Sequence, residues 1–217
     1  MAVYYNIGTN LARLCFTLFA SCHIEGKEAV PPKGPLIVVS NHLNNADIPL
    51  MVVGIPRKLF FLAKRGLFYG PIISSILKGV GAQPIEGDGS NIGATRWALR
   101  MLEQDKAILI FPEATRSRTA SMNKAEPGIA YLAHKSQAPI LPVAISGTEK
   151  IPAMWRIPFP LCRMTMRIGV PFTLPVIEGK PSRDLLEHMT DMIMHRVADL
   201  LPEGYQGHYR TPAPTIP

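Results

Sequence analysis

LIVVSNHLNNAD, residues 36–47, changes character at its midpoint. The run LIVVS is short, continuous and rich in β-branched side chains, which is typical of a strand buried on both faces of a parallel sheet. The seven residues that follow carry an imidazole, three amides and a carboxylate, a composition that favours a loop. A polar cluster directly after a buried strand predicts functional groups at the carboxyl end of that strand in an α/β sheet.

Similar apolar runs recur along the chain and alternate with helical patterns. Strands are predicted at 36–40, 59–63, 107–111, 140–146 and 164–170, with a shorter one at 82–85. Helices are predicted at 47–53, 70–78, 90–104, 127–136 and 181–201, the first and third capped by Asp47 and Ser90. The alternation favours an α/β fold, a mostly parallel mixed sheet flanked by helices, with an N-terminal amphipathic helical segment.

Length, charge and cysteine usage narrow the class of protein. A chain of 217 residues suits one domain. Lys and Arg outnumber Asp and Glu by 23 to 16, which favours anionic partners such as lipid headgroups or phosphorylated small molecules. Nucleic acid is the least favoured anion, since no zinc-finger spacing, RNP-like strand or Lys/Arg tract is present. The three cysteines form no CxxC pair and fit a reducing compartment.

The first 22 residues are apolar and carry one charged side chain, Arg13. A signal peptide would require a basic residue near its start, and none precedes Arg13. Polar residues interrupt the stretch too often for a helix that spans a membrane. We expect an amphipathic helix that lies either in a membrane interface or on the domain's own core. The predicted organisation is a membrane-associating helical segment at 1–26, an α/β domain at 27–205 and a disordered Pro-rich tail at 206–217.

His42 and Asp47 form the first candidate pair. On a continuous helix, at ~100° per residue, their side chains would point about 140° apart and would not meet. If His42 lies in the turn that leaves the strand and Asp47 caps the next helix, the carboxylate folds back onto the ring and raises its basicity. That arrangement is a general base with an orienting partner. The alternative is a loop histidine beside a plain helix cap.

A second polar cluster, FPEATRS at residues 111–117, leaves another apolar strand. Arg116 offers a planar fork suited to a phosphate, while Glu113 either pairs with Arg116 or holds a substrate hydroxyl. Nearby donors and positive charge come from Ser117, Arg118 and Lys124. The competing interpretation of Glu113 and Arg116 is a surface salt bridge. Lys64 and Arg65 follow a third strand, so three clusters distant in sequence would meet at one edge of the sheet.

Together these segments resemble the glycerolipid acyltransferase family, whose best-known members are the 1-acylglycerol-3-phosphate acyltransferases. The family's first block, Asn-His-x4-Asp, matches residues 41–47. Its third block, usually Phe-Pro-Glu-Gly-Thr-Arg-Ser, matches residues 111–117 at six of seven positions. The second and fourth blocks resemble residues 64–81 and 138–143. Two separated blocks in the right order are far more specific than either block alone.

The resemblance implies an enzyme of phospholipid biosynthesis. It would move a fatty acyl group from acyl-CoA or acyl carrier protein to the hydroxyl of a lysophosphatidic-acid-like glycerol phosphate. His42 would be the general base and Asp47 its partner, with no cofactor, metal or covalent acyl-enzyme. The residues implied in substrate binding are Glu113, Arg116, Lys64, Thr115, Ser117 and Arg65. The lipid acceptor implies a peripheral or monotopic enzyme at the cytoplasmic face of a membrane, with the membrane surface as a partner.

Three departures from the family pattern leave other functions open. Ala114 replaces the usual Gly, which strains the loop if that position needs φ > 0. Asn44 stands where Ser is frequent, and the acidic Glu86 and Asp88 follow the second block where a basic residue is usual. The alternative functions are a lipid-binding module without efficient catalysis and an acyl thioester hydrolase in which water replaces the acceptor on the same base.

A separate polar row lies in the last predicted helix. His188, Asp191 and His195 are spaced three and four residues apart, which places them on one helical face with the donor types of a divalent metal site. The apolar positions of the same helix fall on another face, a pattern that favours a solvated role for the row over metal binding.

Overall fold

The computed structural model describes residues 2–85 and 92–210, which hold seven strands and seven α-helices. The helices are α1 (Ala2–Phe19), α2 (Asp47–Gly54), α3 (Pro71–Gly79), α4 (Ile92–Glu103), α5 (Gly128–Ser136), α6 (Arg183–Ala198) and α7 (Glu203–Gln206). The strands are β1 (Ser21–Glu25), β2 (Leu36–Ser40), β3 (Leu59–Lys64), β4 (Ala82–Ile85), β5 (Ala107–Ile110), β6 (Ile140–Ser146) and β7 (Arg163–Ile168).

All seven strands join one sheet in the order β1-β7-β6-β2-β5-β3-β4. The five strands from β6 to β4 are mutually parallel, whereas β7 is antiparallel to β6 and β1 is parallel to β7. The predicted α/β class with a mostly parallel mixed sheet is confirmed. Because β2 lies between β6 and β5, the residues that follow β2 are flanked by the segments that follow those two strands.

The apolar run of β2 is buried on both faces of the sheet. Ile37 and Val39 join a core cluster with residues of α4, α5 and α6, whereas Leu36 and Val38 join a second cluster with residues of α1 and α2. Helices therefore cover both faces, as a central parallel strand requires. Polar side chains lie at the carboxyl end of the strand instead.

The predicted N-terminal segment at 1–26 contains two different elements. α1 packs against α2 and α3, with Phe16 buried, and β1 pairs in parallel with β7 at the edge of the sheet. The sequence does not predict β1, because Ser-Cys-His-Ile-Glu is neither apolar nor alternating and four of its five residues are exposed. Within the part of the chain that the structure describes, no helix is long and apolar enough to cross a membrane.

The first residues of the segment that the sequence assigns to a disordered tail at 206–217 are ordered. Residues Gly207–Tyr209 form a short 3-10 helix in which Tyr209 is only 2% exposed. The Tyr209 hydroxyl accepts a hydrogen bond from the Ala125 N–H at 2.8 Å. Met122 is held on both sides, since its N–H donates to Tyr205 O at 2.9 Å and its carbonyl accepts from the His208 N–H at 3.0 Å. The segment from Glu203 to Arg210 thus fastens the loop that follows β5.

The predicted cap of α2 is wrong. Asp47 lies in the first turn of α2 with Ala46 in the cap position, so Asp47 does not cap the helix. Its carboxylate bonds the backbone of the preceding loop instead. Ser90, predicted to cap α4, and the acidic pair Glu86 and Asp88 lie outside the described residues.

Candidate active site

His42 and Asp47 meet at the carboxyl end of β2. His42 Nδ1 lies 2.8 Å from Asp47 Oδ2, because the loop between them turns back before α2 begins. The Asp47 side chain is fully buried and the His42 side chain is 15% exposed. Since the carboxylate accepts at Nδ1, the neutral ring carries its proton there and leaves the lone pair on Nε2.

Both oxygens of the Asp47 carboxylate are engaged. Oδ2 also accepts hydrogen bonds from the N–H groups of Leu43, at 2.7 Å, and Asn44, at 2.8 Å. Oδ1 accepts from the hydroxyl of Thr148 at 2.5 Å. Donors from the loop, the ring and a distant segment therefore hold the carboxylate in one orientation, and through it the imidazole.

Thr148 reaches Asp47 from the segment that follows β6. It is fully buried and begins the short 3-10 helix Thr148–Lys150, directly after Gly147 at φ 92°. A Cβ at Gly147 would lie 2.1 Å from the carbonyl oxygen of Arg163, so only glycine fits this turn. The sequence pattern does not single out Thr148, although its position just after the predicted strand 140–146 places it at the same edge of the sheet.

Two asparagines of residues 41–47 fix the loop to its neighbours. The Asn41 side chain donates to the Ile145 carbonyl at 2.9 Å and accepts from the Ile145 N–H at 2.8 Å. Asn44 Nδ2 donates to the Ile151 carbonyl at 3.0 Å, while its Oδ1 accepts from the Ala46 N–H at 3.1 Å. Asn44 thus uses both ends of its amide, which the single hydroxyl of a serine cannot match in reach.

Glu113 lies in the loop that follows β5 and holds the backbone of His42. The side chain is 5% exposed, and its Oε1 accepts from the His42 N–H at 3.1 Å. Its Oε2 accepts from the N–H and the Nδ2 of Asn123 at 2.8 and 3.0 Å. Burial raises the pKa of Glu113, and these donors oppose the rise. Among the described residues Glu113 forms no ion pair with Arg116; its carboxylate bonds the backbone of His42 and both the backbone and the side chain of Asn123.

The loop after β5 also fixes the plane of the imidazole. The Phe111 ring stacks on the His42 ring with centroids 4.1 Å apart and planes 20° apart. The Ser117 N–H donates to the His42 carbonyl at 2.8 Å. Ser117 Oγ accepts from the N–H groups of Thr119 and Ser121, at 3.2 and 3.1 Å, so this hydroxyl shapes the loop.

The remaining predicted substrate-binding residues lie on the rim of the site. Thr115 and Arg116 are exposed in the loop after β5, and Lys64 and Arg65 are exposed at the end of β3. Since β5 separates β3 from β2, Lys64 is displaced from the first polar cluster by two strand spacings, about 10 Å. The side chains of Arg116 and Lys64 form no hydrogen bond or ion pair with another residue of the described ranges.

Ala114 lies in this loop at φ 57°, in the left-handed region. The position therefore needs the conformation that favours glycine, as the family pattern implies, and alanine adopts it with strain. The Ala114 N–H donates to the Phe111 carbonyl at 3.1 Å, which closes the turn that places Glu113.

The alternative metal site finds no support in the described part of the chain. Residues 2–85 and 92–210 contain no group of three His, Cys, Asp or Glu side chains placed to hold an ion. Within the row His188, Asp191 and His195, the His195 ring packs edge-on against Tyr209 at 5.5 Å.

Two proteins named as acyltransferases are similar in sequence to this chain. It is 25% identical over 197 residues to the 1-acyl-sn-glycerol-3-phosphate acyltransferase of Bacillus subtilis, a match that covers 90% of this chain and 96% of that protein. It is 32% identical over 129 residues to the human 1-acyl-sn-glycerol-3-phosphate acyltransferase alpha, covering 58% of this chain and 46% of the human protein.

A solved structure shares the fold. The 1-acyl-sn-glycerophosphate acyltransferase PlsC of Thermotoga maritima superposes with a TM-score of 0.71 at 22% identity, over 90% of this chain and 78% of that one. The profile of the family described as Acyltransferase matches residues 21–146, which include the His42 loop and the loop that follows β5. This chain therefore belongs to the acyltransferase family.

Proposed function

We propose that this acyltransferase moves a fatty acyl group from a thioester donor, acyl-CoA or acyl carrier protein, to the hydroxyl of a lysophosphatidic-acid-like glycerol phosphate in phospholipid biosynthesis. The observation that carries the proposal is the 2.8 Å contact between His42 Nδ1 and the buried Asp47 carboxylate. The named relatives in Bacillus and human, which are 1-acyl-sn-glycerol-3-phosphate acyltransferases, support the choice of acceptor.

In the proposed reaction His42 is the general base. Its Nε2 takes the proton of the acceptor hydroxyl as the hydroxyl oxygen attacks the thioester carbonyl carbon. The tetrahedral intermediate then expels the thiolate, which receives the proton from the imidazolium, so that an ester and a free thiol leave the site. Asp47 stabilises the imidazolium while the proton resides on it and keeps the ring from rotating. No covalent acyl-enzyme, metal or cofactor takes part.

The charged side chains of the rim would bind the acceptor. We assign its phosphate to Arg116, whose guanidinium forks can bond two phosphate oxygens, with Lys64, Arg65 and Thr115 around it. Glu113 is proposed as a positioning residue instead of an acceptor ligand, because its three hydrogen bonds go to His42 and Asn123. Ser117 acts in the same way through the His42 carbonyl.

We further propose that α1 holds the enzyme at a membrane, as a peripheral or monotopic protein at the cytoplasmic face. One side of α1 is buried through Phe16, while four large apolar side chains on its surface stay exposed: Ile7, Leu11, Leu14 and Leu18. Their spacing of four, three and four residues forms one stripe along the helix. Such a stripe fits a helix that lies in the plane of a lipid interface.

Thiol release measured with and without a lysophosphatidic acid acceptor tests the proposal. A transferase releases thiol from acyl-CoA only when the acceptor is present, and esterified product accumulates with it. Thiol release that does not depend on acceptor would assign a thioester hydrolase, since water can reach the partly exposed His42. A chain that binds anionic vesicles but releases no thiol from acyl-CoA or acyl carrier protein would be a lipid-binding module.

A further inference from the structure

Exposed large apolar side chains are concentrated in two segments. Of the thirteen such side chains in the described residues, four lie on α1 and four lie within residues 154–161. The second group consists of Met154, Trp155, Phe159 and Leu161. We refer to residues 154–161 as the Trp155 loop. Trp155 is 71% exposed, which is unusual for the side chain with the largest apolar surface.

The Trp155 loop continues the apolar stripe of α1. The Phe159 ring packs edge-on against Phe19, the last residue of α1, with centroids 4.8 Å apart. The Leu161 N–H donates to the Phe19 carbonyl at 2.8 Å. Leu18, exposed at the end of the stripe, is therefore next in sequence to the residue that both contacts share. The two segments form one contiguous apolar surface, of the kind that marks an interaction site.

The charged side chains within these two segments have one sign. Residues 150–163 contain Lys150, Arg156 and Arg163 and no Asp or Glu, and α1 contains Arg13 and no Asp or Glu. The Arg156 guanidinium lies 5.4 Å from the centre of the Trp155 ring. An indole beside a guanidinium, within an apolar patch rimmed by cations, matches the interface of a bilayer that contains anionic lipid.

The same loop is connected to the candidate active site. Ile151, three residues before the loop, accepts the hydrogen bond from Asn44 Nδ2 through its carbonyl. Its N–H donates to the carbonyl of Thr148, the residue that bonds the Asp47 carboxylate. A surface that docks through the Trp155 loop would therefore lie beside the segment that orients His42.

We propose that the Trp155 loop is a second membrane-contact element, which docks together with the outer stripe of α1 on a bilayer containing anionic lipid. Trp155, Phe159 and Leu161 enter the interface, and Arg156 pairs with lipid phosphates. The inference rests on the proposed function in one respect: a lipid acceptor resides in the bilayer where the loop places the site.

Tryptophan fluorescence tests insertion directly, since the chain has two tryptophans. Trp97→Phe leaves Trp155 as the sole tryptophan, and Trp155→Phe leaves Trp97, which packs against the core in α4. With vesicles of phosphatidylglycerol and phosphatidylcholine, emission from Trp155 should shift to the blue and be quenched by lipids brominated in the acyl chain. Emission from Trp97 should not change. Unchanged Trp155 emission in vesicle-bound protein would overturn the proposal.

A second experiment measures the contribution of the loop to binding. Trp155→Ser with Leu161→Ser should weaken sedimentation with the same vesicles by about tenfold or more, given the apolar area removed from the interface. The matched control, Val170→Ser with Val176→Ser, changes two exposed apolar residues elsewhere and should bind as the wild type does. Vesicle binding by the loop variant equal to that of the wild type would refute the proposal.

Two further readouts distinguish membrane docking from a structural role of the loop and from dimerisation. The first is thiol release with a short-chain lysophosphatidic acid below its micellar concentration, which the loop variant should retain. Loss of activity on this soluble acceptor would mean that the loop serves the fold or the site, and it would count against a docking role.

The second is sedimentation equilibrium without lipid. If the surface joins two copies of this chain, the wild type would be a dimer and the loop variant a monomer, and this result would also overturn the proposal. Failure of the wild type to release thiol at all would refute the proposed function but leave vesicle binding to be judged alone.

Discussion

The centre and the rim of the candidate site are built in opposite ways. At the centre, Asp47 accepts four hydrogen bonds and Glu113 accepts three, and both side chains are buried. On the rim, Arg116 and Lys64 are exposed, and their side chains form no hydrogen bond or ion pair to any other described residue. A base must be oriented before the reaction, whereas a cation that receives a mobile phosphate needs freedom to reach it. Substitutions at the centre should therefore reduce turnover, and those on the rim should reduce acceptor affinity.

The largest effect among the variants that probe this contrast is expected for Asp47→Asn. The amide retains the volume but loses the anion that fixes the His42 tautomer and stabilises the imidazolium, so kcat should fall by about 10²- to 10⁴-fold. Steady-state kinetics at saturating acceptor measure it. Asp184→Asn, an exposed carboxylate in the first turn of α6, is the matched control and should leave kcat unchanged. A loss confined to KM would contradict the role of Asp47.

Arg116→Ala should act on the other side of the contrast. Loss of a charge-assisted contact to phosphate should raise the acceptor KM by about 10- to 100-fold with little change in kcat. Arg116→Lys should fall between, because an ammonium cannot form the paired bonds of a guanidinium. Arg118→Ala, exposed in the same loop, is the control. Equal losses in the Arg116 and Arg118 variants would mean that the loop supplies only general positive charge.

Glu113→Gln should weaken the fold more than it weakens acceptor binding. One of the two acceptor oxygens becomes an NH2 group, which would face the N–H donor of either His42 or Asn123, at a cost of about 1–3 kcal/mol in the free energy of unfolding. The acceptor KM should stay near the wild-type value. A large rise in KM with unchanged stability would return Glu113 to acceptor binding.

The raised pKa of the Glu113 carboxyl should affect how the free energy of unfolding depends on pH. Burial raises the pKa of Glu113 in the folded protein above its ordinary value of 4.5. At a pH between the ordinary pKa and the folded-state pKa, the folded protein therefore binds more protons than the unfolded chain. The Glu113 contribution to stability is therefore present at low pH and is lost as pH rises through that interval. Urea denaturation over a pH series should show this decline in the wild type and a flatter profile in Glu113→Gln.

The smallest effect is expected for Ala114→Gly. Glycine adopts φ 57° without the strain of a Cβ, so the variant should unfold at a free energy about 1 kcal/mol higher than the wild type. Thermal denaturation measures it. Because Ala114 is exposed and its N–H closes the turn whichever residue stands there, kcat should change little. Destabilisation by glycine would show that the turn is not strained.

The sequence predicts the strands whose residues form a local apolar run. β2 and β6 are predicted at their observed bounds because both are apolar runs of central parallel strands. β1 is not predicted because an exposed edge strand carries no apolar signature. The sequence does not predict the antiparallel direction of β7 either, since that direction depends on how β7 pairs with β6 in the sheet.

The candidate site divides in the same way. The spacing of His42 and Asp47 allows them to meet only if a turn separates them, and it leaves a loop histidine beside a helix cap as the alternative. The resemblance favours the pair, and the structure shows the contact. Thr148 bonds a carboxylate 101 residues away and Glu113 bonds a backbone amide 71 residues away, and neither contact leaves a local signal. The resemblance assigns Glu113 to the acceptor, but a sequence motif gives only the type of a residue and not the direction of its side chain. Burial and hydrogen bonds show that the Glu113 side chain faces the protein.

Acceptor-dependent thiol release by His42→Ala tests the role of the base most directly, with His188→Ala as the control for loss of an exposed histidine. We expect a fall of at least about 10³-fold for His42→Ala, because the proposed reaction uses this imidazole to take the hydroxyl proton, with thermal stability and vesicle binding near wild type. His188→Ala should retain full activity. Activity of a folded His42→Ala variant within a few-fold of the wild type would contradict the assignment of His42 as the base.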